Sequence, residues 1–199
     1  MNLPNKLSIL RVILVPLFVA VLTFPSDEFF ASYGMWIRII AAALFILTAF
    51  TDMLDGQIAR RCNLVTDFGK FIDPLADKFM VFGAMLAIIY RLDGYMRPVF
   101  LWASLIVIFR ELAITSMRLI VVNKSGTVVA AAWLGKVKTV TQIICIVAVL
   151  LDPVVIPAGN FFSDGQILSL GTTILMTIMT LWSGIDYMKA YWPLLDTNK

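Results

Sequence analysis

The chain has 199 residues, of which 60% are hydrophobic and 15% charged, with a mean hydropathy of +0.91 and a formal net charge of +3. This composition excludes an ordinary soluble domain and indicates an integral membrane protein, with a single domain over residues 1–199. The sequence contains no histidine, which excludes Ser-His-Asp triads, imidazole bases and histidine-ligated zinc. Any bound metal must therefore be a hard ion held by oxygen ligands, such as Mg2+, Mn2+ or Ca2+.

Six apolar segments are each about long enough to cross the hydrocarbon core of a bilayer as a helix. Turn-forming stretches separate them, such as FPSDE after the first and RLDGYMRP after the third. The sequence thus predicts an all-α integral membrane protein with six transmembrane helices. The predicted spans are approximately 7–24, 34–54, 71–90, 98–121, 133–152 and 167–188.

An even number of spans places both termini on the same side of the membrane. If that side is the cytoplasm, all but three of the 16 lysines and arginines lie there. Only Arg38, Arg91 and Arg97 fall on the other side. Because basic residues are enriched in cytoplasmic loops, we predict cytoplasmic termini and a multi-pass protein of the cell membrane.

Five aspartates lie within residues 52–78, around the end of the second predicted span and the start of the third. On helices, neighbours three and four residues apart share a face. That spacing forms one stripe from Asp52, Asp55, Gly56 and Ala59, and a second from Gly69, Asp73 and Asp77.

If the two stripes face each other, four carboxylates meet beside small residues at the cytoplasmic ends of their helices. Converging anions repel in a low-dielectric site, so we predict that they share one or two divalent cations that can act on a phosphoryl group. A single aspartate here could instead face interfacial water or cap a helix, as Asp67 could. Four of them at these spacings, in otherwise apolar helices, favour a functional site.

A basic group suited to phosphate lies further along the chain. Arg110 is about a dozen residues into the fourth apolar segment, a depth at which a charged residue without a function is not expected. Arg118 lies eight residues beyond it. Lys136 and Lys138 are at the start of the fifth segment, on the same predicted side. Arginine forks and lysine ammonium groups bind phosphate oxygens, although the two lysines could also be ordinary cytoplasmic loop charges.

The aspartate pattern resembles a family signature. D-x-x-D-G-x-x-A-R followed by G-x-x-x-D-x-x-x-D is similar to the motif of the CDP-alcohol phosphotransferases, and all eight positions match. The stretches LPNKLSILRVILVP, RELAITSMR and WLGKVKTVTQ are similar to the branch that makes phosphatidylglycerophosphate. The resemblance therefore covers most of the chain, and that family also has a six-helix membrane fold.

The resemblance implies a reaction in which the 1-hydroxyl of sn-glycerol 3-phosphate attacks the β-phosphorus of CDP-diacylglycerol, giving phosphatidylglycerophosphate and CMP. It implies two Mg2+ or Mn2+ ions per site, held by Asp52, Asp55, Asp73 and Asp77, with Asp77 also the candidate catalytic base. Two further groups of residues follow from it: Gly56, Ala59, Arg60, Gly69, Asn5 and Ser8 beside the nucleotide, and Arg110, Arg118, Lys136 and Lys138 around the acceptor phosphate.

Several alternatives stay open at this point. Asn5, Ser8 and Arg11 could simply anchor the first helix at the interface. The acceptor could be another compound, such as inositol phosphate, and other classes are an Mg-dependent intramembrane prenyltransferase or a cation transporter. We expect membrane lipid but no nucleic acid as a partner. The small residues of LWSGID (181–186) suggest close helix contact, which could also form across a homodimer.

Overall fold

Six long α-helices make up the regular structure of the residues that the structure describes. The computed structural model describes residues 3–61, 67–125, 133–156 and 166–192, but not the side chains of 3–4, 53–61, 67–68, 70 and 122–125. The helices are α1 Leu3–Thr23, α2 Asp27–Arg61, α3 Asp67–Arg91, α4 Met96–Ser125, α5 Trp133–Val155 and α6 Ile167–Tyr191. The prediction of six helices is confirmed. The largest difference is α2, which begins at Asp27 and continues well past the span predicted for it.

The helices α1, α2, α4, α5 and α6 are long and apolar enough to cross a membrane. In the described part of the chain α3 is not, because Asp73, Asp77 and Lys78 interrupt its first half. Large hydrophobic side chains are exposed along the bundle, including all five tryptophans. Such an extensive apolar surface is suited to lipid, so the chain is a multi-pass membrane protein. A sixth span in α3 stays a prediction.

The first helix organises the packing of the bundle. Helix α1 packs against both α2 and α3, whereas the described parts of α2 and α3 have much less contact with each other. Helix α5 packs against α6 and α2, and α4 packs against α6. One hydrophobic core contains buried side chains from every helix, for example Phe18, Phe45, Met85, Phe100, Ile146 and Met176. The two aspartate-bearing helices are thus held together largely through α1.

Helix α1 begins and α6 ends at the same end of the bundle, which we call the acidic end. Ser8 of α1 contacts Asp73 there, and Tyr187 of α6 lines the same cavity as Asp77. At the opposite end, Arg38, Arg91 and Arg97 line a different cavity. These are the three basic residues that the charge bias predicts on the opposite side of the membrane from all the others, and in the structure they line one cavity. Which end faces the cytoplasm stays a prediction.

Close approach of α1 to α3 depends on Gly83. A Cβ atom at this position would lie 2.8 Å from Val15 Cγ1 of α1, whereas a Cβ at Gly171 in α6 would meet nothing within 4 Å. Because Val15 is β-branched and buried, it cannot turn away easily. We expect Gly83→Ala to lower the free energy of unfolding by ~2 kcal/mol despite the better helix propensity of alanine.

The measurement is thermal unfolding in detergent, followed by tryptophan fluorescence. Gly171→Ala is the matched control, because it makes the same change in a helix with open space around it; it should leave the midpoint unchanged or slightly raised. If both variants unfold at the wild-type temperature, the α1–α3 contact is looser than described.

Candidate active site

Helix α1 contributes three polar residues to the acidic end. Asn5, Ser8 and Arg11 are spaced three residues apart and are all buried, with Arg11 fully inaccessible. The Ser8 hydroxyl donates a hydrogen bond to Asp73 Oδ1 at 2.5 Å. Arg11 Nη1 forms a salt bridge with Asp52 Oδ1 at 2.6 Å. These contacts show that α1 does more than anchor at the interface: it orients one carboxylate of α2 and one of α3.

Asp77 lies where acidic and basic groups meet. Its carboxylate interacts electrostatically with Asp52, and also with Arg11, Lys138 and Glu111. These partners come from four helices. That Asp52 and Asp77 share one metal site stays a prediction. Arg11 provides a countercharge that the sequence pattern of the aspartates did not include. Its sequence signals are a charge placed three residues after Ser8 in an apolar helix and its position in the stretch LPNKLSILRVILVP, which resembles the family.

Other predicted residues of the carboxylate site are only partly described. Gly69 is buried near the start of α3. Asp55, Gly56, Ala59 and Arg60 belong to helix α2, but their side chains lie outside the described residues. The roles predicted for these four stay predictions.

The chemistry of the carboxylate site fits a hard divalent cation. Its described side chains offer carboxylate oxygens, the ligands that Mg2+ and Mn2+ prefer. The Asp52 side chain is 39% exposed even though Arg11 pairs with one of its oxygens. Within the described residues, no three acidic side chains come close enough together to hold an ion. A complete set of metal ligands would therefore need a further carboxylate whose side chain lies outside the described residues. Asp55 is the candidate.

A cavity of about 470 Å3, here called the basic cavity, opens between α3, α4, α5 and α6. It places Asp77 together with the four residues predicted to bind phosphate. The charged side chains in its wall are Asp77, Lys78, Arg110, Glu111, Arg118, Lys136 and Lys138. Residues far apart in sequence thus share one wall; Asp77 and Lys138, for example, are 61 positions apart. The grouping predicted for Arg110, Arg118, Lys136 and Lys138 is present.

Glu111 holds two of these cations in place. Its Oε1 atom accepts a hydrogen bond from Arg110 Nη1 at 3.0 Å and another from the Lys138 ammonium group. All three side chains are at least 84% buried. Among the described residues, Nε and Nη2 of Arg110 are buried without a hydrogen-bond acceptor. One carboxylate against two cations leaves a net positive charge, and an anion in the cavity would both balance it and satisfy the guanidinium.

Two glycines let α6 approach this site closely. A Cβ at Gly184 would lie 3.2 Å from Arg110 Cγ, and one at Gly135 would lie 3.2 Å from the Tyr187 hydroxyl. The Arg110 guanidinium carbon is 5.4 Å from the Tyr187 ring centroid, a cation–π contact. Sequence reasoning missed Tyr187, since nothing distinguishes it there from an interfacial aromatic residue.

The small residues of LWSGID pack inside the chain. Ser183 is fully buried, and Gly184 is buried against Arg110 of the same chain. The close helix contact that these residues suggest is therefore present between α6 and α4 of the same chain. A homodimer stays a prediction.

Carboxylates and a basic cavity at one end of an all-helical membrane bundle are features expected of membrane-embedded enzymes that act on phosphate esters. Residues 1–184 match the family described as CDP-alcohol phosphatidyltransferase. The chain therefore belongs to the CDP-alcohol phosphatidyltransferase family and is a phosphotransferase. Membership in this family excludes the intramembrane prenyltransferase and the cation transporter.

Curated relatives cover nearly the whole chain. It is 38% identical to the CDP-diacylglycerol–glycerol-3-phosphate 3-phosphatidyltransferase of Bacillus subtilis (strain 168), over 99% of this chain and 98% of that enzyme. It is 31% identical to the enzyme of the same name from Pseudomonas fluorescens, over 100% and 94% of the two chains. Identity to the Salmonella paratyphi A enzyme, again with that name, is 34%, over 95% and 94%.

Proposed function

We propose that this chain transfers the phosphatidyl group of CDP-diacylglycerol to sn-glycerol 3-phosphate, giving phosphatidylglycerophosphate and CMP. Three full-length relatives carry the name of that activity. The structural observation that carries the proposal is the basic cavity, where Asp77 shares the wall with five cationic side chains, four of which are predicted to bind phosphate. An acceptor that bears a phosphate and must lose a hydroxyl proton needs both features in one cavity.

In the transfer, the acceptor hydroxyl oxygen forms a bond to the β-phosphorus, and the bond from that phosphorus to the CMP oxygen breaks. The Asp77 carboxylate takes the hydroxyl proton. Arg110, Arg118, Lys136 and Lys138 hold the acceptor phosphate. Binding in this cavity fixes the hydroxyl on the α3 side, and such positioning supplies much of the rate enhancement in displacement reactions.

The nucleotide part of the lipid substrate is assigned to the other side of Asp77. Ser8 contacts Asp73, and Asn5 and Gly69 are buried about one helical turn before Ser8 and Asp73 in their own helices. We assign Gly56, Ala59 and Arg60 of α2 to the same substrate, with Arg60 on its phosphates. Ser8 and Arg11 keep Asp73 and Asp52 oriented toward it, which is the role their hydrogen bond and salt bridge support.

Members of this family generally use divalent cations. We assign Mg2+ or Mn2+, two per site, to Asp52, Asp55, Asp73 and Asp77. When bound, such ions neutralise the diphosphate and stabilise the charge that develops on the leaving CMP. We expect exhaustive chelation with EDTA to reduce CMP release to the background rate, and added Mg2+ or Mn2+ to restore it. Undiminished release after chelation would contradict the metal assignment.

The proposed acceptor is tested by offering the purified protein CDP-diacylglycerol with glycerol 3-phosphate, inositol phosphate or serine in parallel reactions. CMP release should be fastest with glycerol 3-phosphate, and the lipid product should carry its phosphate. Preference for inositol phosphate would keep the family assignment and overturn the acceptor.

Arg118 offers a test of the basic cavity. It is exposed on the cavity wall, so its removal should cost binding and leave the fold intact. We expect Arg118→Ala to raise the KM for glycerol 3-phosphate about tenfold, the effect of losing one charge-assisted hydrogen bond to phosphate. The KM for CDP-diacylglycerol should change little. The control is Lys189→Ala, which removes an exposed cation near the end of α6. If Arg118→Ala raised both KM values equally, Arg118 would not belong to the acceptor site.

We also propose that the acidic end faces the cytoplasm, with both termini on that side. The distribution of basic residues supports this orientation. In this arrangement α3 forms the sixth span, with the charged first half of the helix turned to the site and its apolar second half in the bilayer.

A further inference from the structure

A second polar cavity, of about 430 Å3, lies at the end of the bundle opposite the acidic end. We call it the arginine cavity; its wall is formed by Asp27, Phe30, Ala31, Arg38, Tyr90, Arg91, Asp93 and Arg97. Fourteen residues of α2 separate Arg38 from Asp52, which is about 20 Å along the helix axis. The arginine cavity is therefore too distant to belong to the phosphotransfer site.

Two of its arginines are fully engaged with the protein. Arg91 donates to the Leu22 carbonyl at 2.5 Å, to Asp27 at 2.8 Å and to the Pro25 carbonyl, so it fastens the loop between α1 and α2. Arg97 donates to the Leu92 carbonyl at 2.5 Å and to Asp93 at 3.2 Å. Each aspartate of this cavity is therefore already paired with one arginine.

Arg38 is different. It is the only charged residue of α2 between Glu28 and Asp52, and its guanidinium carbon lies 5.2 Å from the Phe30 ring centroid. The described residues give it no hydrogen bond and no carboxylate within salt-bridge distance. Asp93 attracts it from further away, while Arg91 repels it. Three arginines against two paired aspartates leave the cavity with one uncompensated positive charge.

A partly buried arginine in an apolar helix is costly unless an anion or water compensates it. From the charge, the geometry and the location we propose that the arginine cavity binds the phosphodiester group of an anionic phospholipid. The guanidinium fork matches two phosphate oxygens. An anionic phospholipid supplies the single net negative charge that is missing, whereas the ammonium group of a zwitterionic lipid cancels the charge of its phosphodiester. Exposed aromatic residues beside the cavity, Phe29, Tyr33 and Trp36, are typical of the headgroup level of a bilayer.

The test is competition between lipids for the full chain, delipidated in neutral detergent. Native mass spectrometry with equal amounts of phosphatidylglycerol and phosphatidylcholine should show about tenfold preference for the anionic lipid. Arg38→Gln should abolish the preference. Arg38→Lys, which keeps the charge but not the fork, should retain part of it. Lys189→Gln removes an exposed charge elsewhere, and Arg118→Ala alters the basic cavity; both should keep the full preference.

Thermal unfolding gives a second readout that separates lipid from free anion. Phosphatidylglycerol should raise the unfolding midpoint of the wild-type chain, whereas inorganic phosphate should not. The proposal fails if the wild-type chain shows no lipid preference, if Arg38→Gln and Lys189→Gln reduce it equally, or if phosphate stabilises as much as the lipid. The wild-type measurements decide the matter even if Arg38→Gln does not fold.

Discussion

Asp77→Asn should reduce the rate of CMP release by about a thousandfold, the contribution typical of a general base, while CDP-diacylglycerol still binds. The substitution keeps the size and polarity of the side chain but removes the proton acceptor. Asp77 is the carboxylate that lies in the basic cavity beside Lys138 and Glu111 and also interacts with Asp52. In the proposed mechanism it is therefore the group assigned to take the proton of the acceptor hydroxyl.

The measurement is single-turnover CMP release, together with equilibrium binding of CDP-diacylglycerol to the same preparation. Asp93→Asn is the control, because its carboxylate is 90% exposed at the opposite end of the bundle; it should turn over at the wild-type rate. Loss of lipid binding in step with turnover for Asp77→Asn would make Asp77 a metal ligand only and would overturn its assignment as the base.

Glu111→Gln should have the second largest effect, on both stability and acceptor binding. The amide cannot balance Arg110 and Lys138, which are 90% and 92% buried and share one oxygen of Glu111. Removing one partner of a buried charged group costs ~3–5 kcal/mol. We expect a lower unfolding temperature and a KM for glycerol 3-phosphate raised about a hundredfold, with a smaller change for CDP-diacylglycerol.

A second substitution separates the effect of Glu111→Gln on stability from its effect on acceptor binding. Glu111→Gln combined with Lys138→Gln returns the net charge of the three-residue cluster from +2 to its original +1, so the double variant should recover part of the unfolding temperature, although Arg110 still lacks a carboxylate. It should not recover acceptor binding, because Lys138 is itself assigned to the phosphate. Glu28→Gln, at an exposed position near the start of α2, is the control for loss of a carboxylate. If acceptor binding returned with stability, Glu111 would serve the fold alone.

Much of this protein could be read from local pattern. Helices follow from apolar length, since each backbone polar group must be satisfied inside its own segment in lipid. The pairing of carboxylates with small residues follows from helical spacing, and Arg110 stands out as a charge inside an apolar segment. The common location of Arg38, Arg91 and Arg97 also followed from sequence, because charge bias is a property of the loops and not of packing.

What the sequence could not supply was the set of contacts between helices. Nothing in its pattern assigns Arg11 to Asp52 or Ser8 to Asp73, because α1 could pack against any neighbour that offers a groove. Likewise, the sequence indicates only that Gly184 could allow a close helix contact. The packing of α6 against α4 is needed to show that Arg110 occupies the space beside it. Tyr187 has no distinguishing signal at all.

The amino-acid sequence by itself determined the membrane class, the six helices, the family and the residue types available for phosphotransfer, because these depend on composition and on spacing within single helices. Only the tertiary structure decided which charges neutralise each other: Arg11 with Asp52, and Glu111 with Arg110 and Lys138. The physical reason is that Coulombic interactions depend on distances across the bundle, and helix periodicity carries no information about those distances.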